Sequence, residues 1–171
     1  RVSGPAGGRL RVLVGRDTRE SGVWIERELA RGLASEGAEV VSAGVIPTPA
    51  VAYLTPLGRF NAGIVISASH NPYEDNGIKL FGPDGYKLSD ELELQMEEMI
   101  DRPSAELLVP ADRIGRAKRI DSARERYIEF AKRTLPKNLR FDGIRAVIDC
   151  ANGAAYKVAP EALWELGADV V

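Results

Sequence analysis

Short apolar runs recur along the chain, each ending in polar or turn-forming residues, and helical periodicity fills the gaps between them. Val12-Leu13-Val14 reads as a strand that leaves through the polar turn Gly15-Arg16-Asp17-Thr18-Arg19. Ser21 is then placed to cap a helix whose inner face is Ile25, Leu29, Gly32 and Leu33, at spacing i, i+4, i+7, i+8, with Gly37 just past its end. Glu39-Val40-Val41 follows as a strand, so a strand, a helix and a strand fit in about thirty residues, the spacing of a parallel crossover. Thr48-Pro49 supplies an N-cap and a first-turn proline for a helix running toward Pro56. The run Gly63 to Ala68 predicts a buried strand, and Asp75-Asn76-Gly77 turns the chain back into an antiparallel strand over Ile78 to Phe81.

Beyond the turn Gly82-Pro83-Asp84-Gly85, a helix is predicted from Ser89, burying Leu92, Met96 and Met99. Ile114 to Ile120 reads as a strand or an extended linker. Asp121 or Ser122 caps a further helix with Ala123, Tyr127, Phe130, Ala131 and Thr134 on one face, and Pro136-Lys137-Asn138 breaks it. The expected fold class is therefore α/β: a three-layer α/β/α domain with a mixed, mostly parallel sheet of about four strands, spanning residues 1–136.

Residues 137–171 echo the beginning. Leu33-Ala34-Ser35-Glu36-Gly37-Ala38-Glu39-Val40-Val41 and Leu163-Trp164-Glu165-Leu166-Gly167-Ala168-Asp169-Val170-Val171 share one pattern, 130 positions apart. Each copy follows an apolar strand that exits through an aspartate, Asp17 in the first and Asp149 in the second. Duplication of one α/β unit explains this better than the general tendency of helix-to-strand joints to use such residues. On that reading 137–171 is the start of a second, similar domain, too short to cover its own apolar face, which must lean on the first domain, pair with another molecule or belong to a larger protein.

Composition narrows the function classes. With 171 residues, 44% hydrophobic, 28% charged and a net charge of −2, the chain reads as a globular protein with no basic stripe for nucleic acid. No apolar run approaches a membrane span and no leader is evident, so a cytoplasmic location is the default expectation. One cysteine and one histidine make a Cys/His zinc site untenable, and Cys150 reads as a small residue at a strand end.

The candidate chemistry lies in Ile64-Val65-Ile66-Ser67-Ala68-Ser69-His70-Asn71-Pro72, where a buried strand delivers a hydroxyl, an imidazole and an amide to the rim of a sheet. Lys79, on the returning strand, is placed to reach back beside Ser69. There is no Gly-x-Ser-x-Gly elbow, and adjacent side chains at a strand rim diverge, so a Ser69–His70 dyad is not expected. This favours phosphoryl transfer, in which positioning and charge balance dominate, over acyl transfer. A phosphoserine carries about −1.5 to −2 charges and needs cations, from Lys79 or a divalent metal.

Ser69-His70-Asn71-Pro72 followed by Asn76-Gly77-Ile78-Lys79 resembles the catalytic serine loop of the α-D-phosphohexomutases, and the likeness runs on through Tyr127-Ile128-Glu129-Phe130 to Asp149-Cys150-Ala151-Asn152-Gly153-Ala154. Phe81-Gly82-Pro83-Asp84-Gly85-Tyr86-Lys87-Leu88 is most similar to the amino-sugar branch of that family. The resemblance implies Ser69 as phosphate carrier and metal ligand through its phosphate, His70 and Lys79 as catalytic companions, and Asn71 and Arg16 near the phosphate. It also implies Mg²⁺, with its other ligands in an absent part of the second domain. The implied partners are a phosphorylated amino sugar and the further domains of the same chain, a homodimer being left open. The family's Gly-Thr-Asp-Gly-Ile-Arg opening, its metal loop, its sugar-reading loop and its C-terminal phosphate loop have no counterpart in these residues. The isolated chain is therefore expected to have no mutase turnover. The alternatives are a phosphomannomutase or phosphoglucomutase, or a non-catalytic phosphosugar-binding module of the same fold.

Overall fold

A computed structural model describes residues 8–101 and 108–171. Its elements are β1 (Arg11–Arg16), α1 (Ser21–Ser35), β2 (Glu39–Val45), α2 (Thr48–Leu57), β3 (Ala62–Ile66), β4 (Ile78–Phe81), α3 (Asp90–Asp101), β5 (Ala117–Arg119), α4 (Ala123–Arg133), β6 (Arg145–Ala146), α5 (Val158–Glu165) and β7 (Asp169–Val170). The first five strands make one sheet in the order β4-β3-β1-β2-β5, parallel except for β4 against β3. The three-layer α/β/α expectation holds, with five strands instead of about four. The fifth is the stretch left open between strand and linker: Ala117–Arg119 is exposed throughout and joins the edge beside β2. Its charged residues guard that edge against further pairing.

Alternation along the strands divides the core. Val12, Val14, Val40, Ile64 and Ile66 meet Ile25, Leu29 and Leu33 of α1 on one face. Leu13, Val41, Val65 and Phe81 meet Ala50, Val51 and Leu54 of α2, with Ala123 and Tyr127 of α4, on the other. The second layer approaches closely because of glycine: a Cβ on Gly15 would stand 2.6 Å from Val51 Cγ2, and one on Gly63 would collide with Thr55 Oγ1. The Tyr53 and Phe130 rings stack at 3.8 Å between centroids, fixing α4 on α2.

Several local expectations are corrected. Ser21 is the first residue of α1, makes no capping bond there, and instead accepts a hydrogen bond from Asn76 Nδ2 at 2.9 Å. Thr48 also makes no cap bond; Pro47 holds the cap position and Pro56 lies inside α2. Gly32 is exposed, with nothing within 4 Å of where its Cβ would lie. On α3, Leu92, Met96 and Met99 are all exposed and no residue is buried, because no element of the described residues covers their face. In α4 the buried residues are Ala123 and Ile128, the latter not foreseen. The stretch Pro103 to Pro110 reads in the sequence as a connector, and its residues 103–107 lie outside the described residues.

The repeated pattern is repeated geometry. Gly37 and Gly167 both have positive φ, +89° and +101°, and donate to Ala34 O and Trp164 O, each at 2.9 Å. Ala38 and Ala168 are both 5% exposed and donate to Leu33 O and Leu163 O, each at 3.0 Å. β6 pairs with β7 in parallel as β1 pairs with β2, and Arg145–Asp169 repeats the Arg11–Glu39 ion pair. The 137–171 segment lies against α4 through Lys132–Glu165 and Arg124–Glu161. Val147 and Trp164 remain 81% and 69% exposed on it.

Candidate active site

β1 is central, and the chain leaves it toward β2 on one side and returns as β3 on the other, so the loops at the strands' carboxyl ends part over a crevice. A cleft of about 1050 Å³ opens there. Its walls are the turn Asp17–Ser21 into α1, Pro47–Pro49 at the start of α2, the loop after β3 with Ser67, Ser69, His70, Asn71, Tyr73 and Glu74, and Cys150–Ala155 of the second segment. Thr18 Oγ1 donates to Asn152 O, tying the two walls together. A smaller groove of about 500 Å³ between α1 and β5 is lined largely by aliphatic carbon.

Ser69 stands exposed at the cleft, at φ +58°, in the left-handed region that side chains other than those of Asn, Asp and Gly rarely adopt. A backbone held there needs external fixing. The buried Ser67 hydroxyl accepts the Ser69 N–H at 3.1 Å, and Ser67 N donates to Gly77 O at 2.8 Å, which binds the loop to the return strand. Asn76 Oδ1 accepts Gly77 N–H while its Nδ2 reaches Ser21, so the turn is anchored to α1.

Arg19 does most of the remaining fixing. Its guanidinium donates to the carbonyls of Ser69 (3.0 Å), Asn71 (3.0 Å) and Pro72 (2.9 Å), and to Asp17 Oδ2 at 3.0 Å. Asp17 Oδ1 in turn accepts Arg19 N–H at 3.0 Å. Both side chains are about nine-tenths buried. Sequence reasoning missed Arg19; the signal was the Asp-x-Arg spacing, which lets one aspartate close an Asx turn and pair with the side chain two residues on.

The other expected residues separate. His70 lies beside Ser69 with Nδ1 3.4 Å from Oγ, a long contact, yet the side chains do not diverge, because the left-handed Ser69 kinks the strand exit. Asn71 lies on the cleft and donates from Nδ2 to Asp75 Oδ2 at 3.2 Å, shaping its turn. Arg16 is not brought to Ser69: it stays in β1, its Nε on Glu26 Oε2 at 2.9 Å, on the α1 side and away from the cleft wall. β1 runs in unbroken parallel register with β3 as far as Arg16↔Ile66, which keeps Arg16 a strand residue. Lys79 is half-buried opposite Val65, on the sheet face shared with Phe81 and α2, and is not part of the cleft wall. The expected Lys79–Ser69 contact is therefore absent.

The Arg19 guanidinium, paired with Asp17, lies against the Ser69 carbonyl, and the opening turn of α1 lines the same cleft. Pro47 and Pro49 remove two N–H donors from the start of α2. Among the described residues no group of three or more His, Cys, Asp or Glu could hold a metal ion, and no helix is long and apolar enough to cross a membrane.

A crevice at the carboxyl ends of the strands is where open α/β sheets bind their ligands, and here a strained serine stands on its lip. Residues 2–106 match the family described as phosphoglucomutase/phosphomannomutase, alpha/beta/alpha domain I, and the chain belongs to that family. The phosphoglucosamine mutases of Xanthobacter autotrophicus and Afipia carboxidovorans are each 61% identical to it over 163 residues, 95% of this chain and 36% of theirs. Among solved structures, a phosphoglucomutase/phosphomannomutase family protein from Burkholderia thailandensis superposes with a TM-score of 0.74 at 27% identity, over 97% of this chain and 36% of that one. The chain spans just over a third of the length of these relatives.

Proposed function

We propose that the full-length protein interconverts glucosamine 6-phosphate and glucosamine 1-phosphate, with Ser69 carrying the phosphoryl group. The observation that carries this reading is Ser69 itself: an exposed hydroxyl, held at a left-handed backbone on the lip of the large cleft. The 61% identity to phosphoglucosamine mutases supports glucosamine over glucose or mannose as the sugar. Residues 1–136 form the serine domain in this reading, and 137–171, whose helix-to-strand joint copies that of the first domain, open a second.

The C1 hydroxyl oxygen of glucosamine 6-phosphate attacks the phosphorus of phosphoserine 69; a P–O bond forms at C1 and the P–Oγ bond breaks. The hydroxyl proton leaves to a base and a proton returns to Oγ, giving glucosamine 1,6-bisphosphate and free serine. The reverse transfer from the 6-phosphate re-forms phosphoserine, protonates O6 and releases glucosamine 1-phosphate. His70 is the nearest group to Oγ for proton exchange, and Asn71 shapes the loop that holds it. Neither Lys79, opposite Val65 and off the cleft wall, nor Arg16, held on Glu26, is given a step in this reading. A magnesium ion on the serine phosphate would offset its charge, with its other ligands supplied from outside these residues.

The test is intact-mass spectrometry of the full-length protein together with assays on glucosamine, glucose and mannose phosphates. One phosphate on Ser69, chased off by glucosamine phosphate and absent from Ser69→Ala, is the expected result. Unimpaired conversion by Ser69→Ala overturns the reading, and faster turnover of glucose or mannose phosphate overturns the choice of sugar.

A further inference from the structure

We infer that Arg19, locked by Asp17, is a positioning residue that sets the serine loop in its phosphate-accepting conformation; this rests on the phosphoserine reading of Ser69. One guanidinium holds the carbonyls of Ser69, Asn71 and Pro72 at 2.9 to 3.0 Å while its remaining direction is fixed on Asp17. A planar fork of five donors can satisfy such a set, and a lysine ammonium cannot span it.

The arrangement acts on the opposite side of the loop. A trans peptide points its N–H against its C=O. With the Ser69 and Pro72 carbonyls turned to Arg19, the N–H groups of His70 and Tyr73 face away from it, and neither has a hydrogen-bond partner among the described residues. Two backbone donors are thereby left available on the cleft loop, that of His70 directly following the residue whose hydroxyl takes part in transfer. Pre-aimed donors of this kind need no reorganisation at the moment of reaction. The same pull keeps Ser69 at φ +58° without the help of glycine. Burial of the Asp17–Arg19 pair makes the device all or nothing, since removing either partner strands a charge.

The experiment uses full-length protein with Arg19→Lys, Arg19→Ala and Asp17→Asn. Turnover is normalised to Ser69 that can be phosphorylated, measured by mass spectrometry after loading with a hexose bisphosphate. Normalised kcat is expected to fall by about 10- to 100-fold in all three, the size of lost preorganised donors, with KM for the sugar phosphate within about twofold and no rescue by lysine. A variant that merely unfolds part of the population lowers the loadable fraction and leaves normalised kcat unchanged, and that result overturns the inference. In parallel, amide hydrogen exchange over residues 69–73 is expected to quicken in each variant; unchanged exchange overturns the positioning role whatever the kinetics. Wild-type protein that accepts no phosphate at Ser69 overturns the mutase reading instead, and the exchange arm still decides whether Arg19 holds the loop.

Discussion

At the level of the single residue, the site is a balance between backbone strain and the bonds that hold it. Ser69 pays for its left-handed conformation with about 1–2 kcal/mol relative to an ordinary backbone. Replacing it by glycine removes the strain along with the hydroxyl, whereas alanine removes only the hydroxyl. Ser69→Gly is therefore expected to unfold later in denaturant than Ser69→Ala, by about 1 kcal/mol, with neither variant phosphorylated. Equal stability of the two would show that the loop relaxes out of φ +58° once the hydroxyl is gone.

At the scale of elements, two joints set the shape of the domain. The first is α2 on the sheet, where Gly63 leaves room for Thr55 and Val51. Gly63→Ala is expected to cost about 1–3 kcal/mol, as overpacking does, seen as a lower denaturant midpoint. The second is the edge strand β5, held to β2 partly by Lys118 on Glu39. The Lys118 hydrogen bond, reinforced by the charges of Lys118, Arg11 and Arg9, lowers the Glu39 carboxyl below its ordinary range. A depressed carboxylate adds stability above its unfolded value and loses it as pH falls through the folded one. Glu39→Gln is thus expected to be less stable than wild type at neutral pH and to lose less on acidification below about pH 4.3, the ordinary glutamate value. Parallel acid-unfolding curves would count against this.

The same elements show what the sequence made legible. The parallel crossovers, the antiparallel return at Ile78 and the repeated joint at Gly167 were readable because local pattern and tertiary role coincide there. The burial of Leu92, Met96 and Met99 was misread because periodicity names a face but not its partner. β5 was ambiguous because an exposed three-residue strand has no alternation to read. Ser69 was legible as a hydroxyl at a strand exit. Its φ and its anchor on Arg19 were not, because both arise from contacts fifty residues apart in the chain. Arg16 was read as a turn residue because the apolar run stops at Val14, whereas backbone pairing with β3 continues through polar positions to Arg16↔Ile66.

For the whole molecule, the question is how 137–171 stays against the first 136 residues. Lys132 sits between Glu129 and Glu165, and their hydrogen bonds raise its pKa. Arg124 Nε lies 3.2 Å from Glu161 without the alignment of a hydrogen bond. Partly exposed pairs of this kind contribute at most about 1 kcal/mol each and are screened by salt. Trypsin cleavage near Lys137 is expected to speed up in about 1 M salt, while the five-stranded core keeps its resistance. Salt-independent cleavage would mean that apolar contact holds the segment in place.

The joint that appears twice supplies its own control. Alanine at Gly37 or at Gly167 meets the same forbidden torsion, but the first faces Val109 and the carbonyl of Arg113, and the second faces the side chains of Asp142 and Arg140. Whatever penalty the two substitutions share belongs to the torsion itself, and whatever they do not share measures the neighbourhood, so a single polypeptide can be made to separate local from tertiary cost.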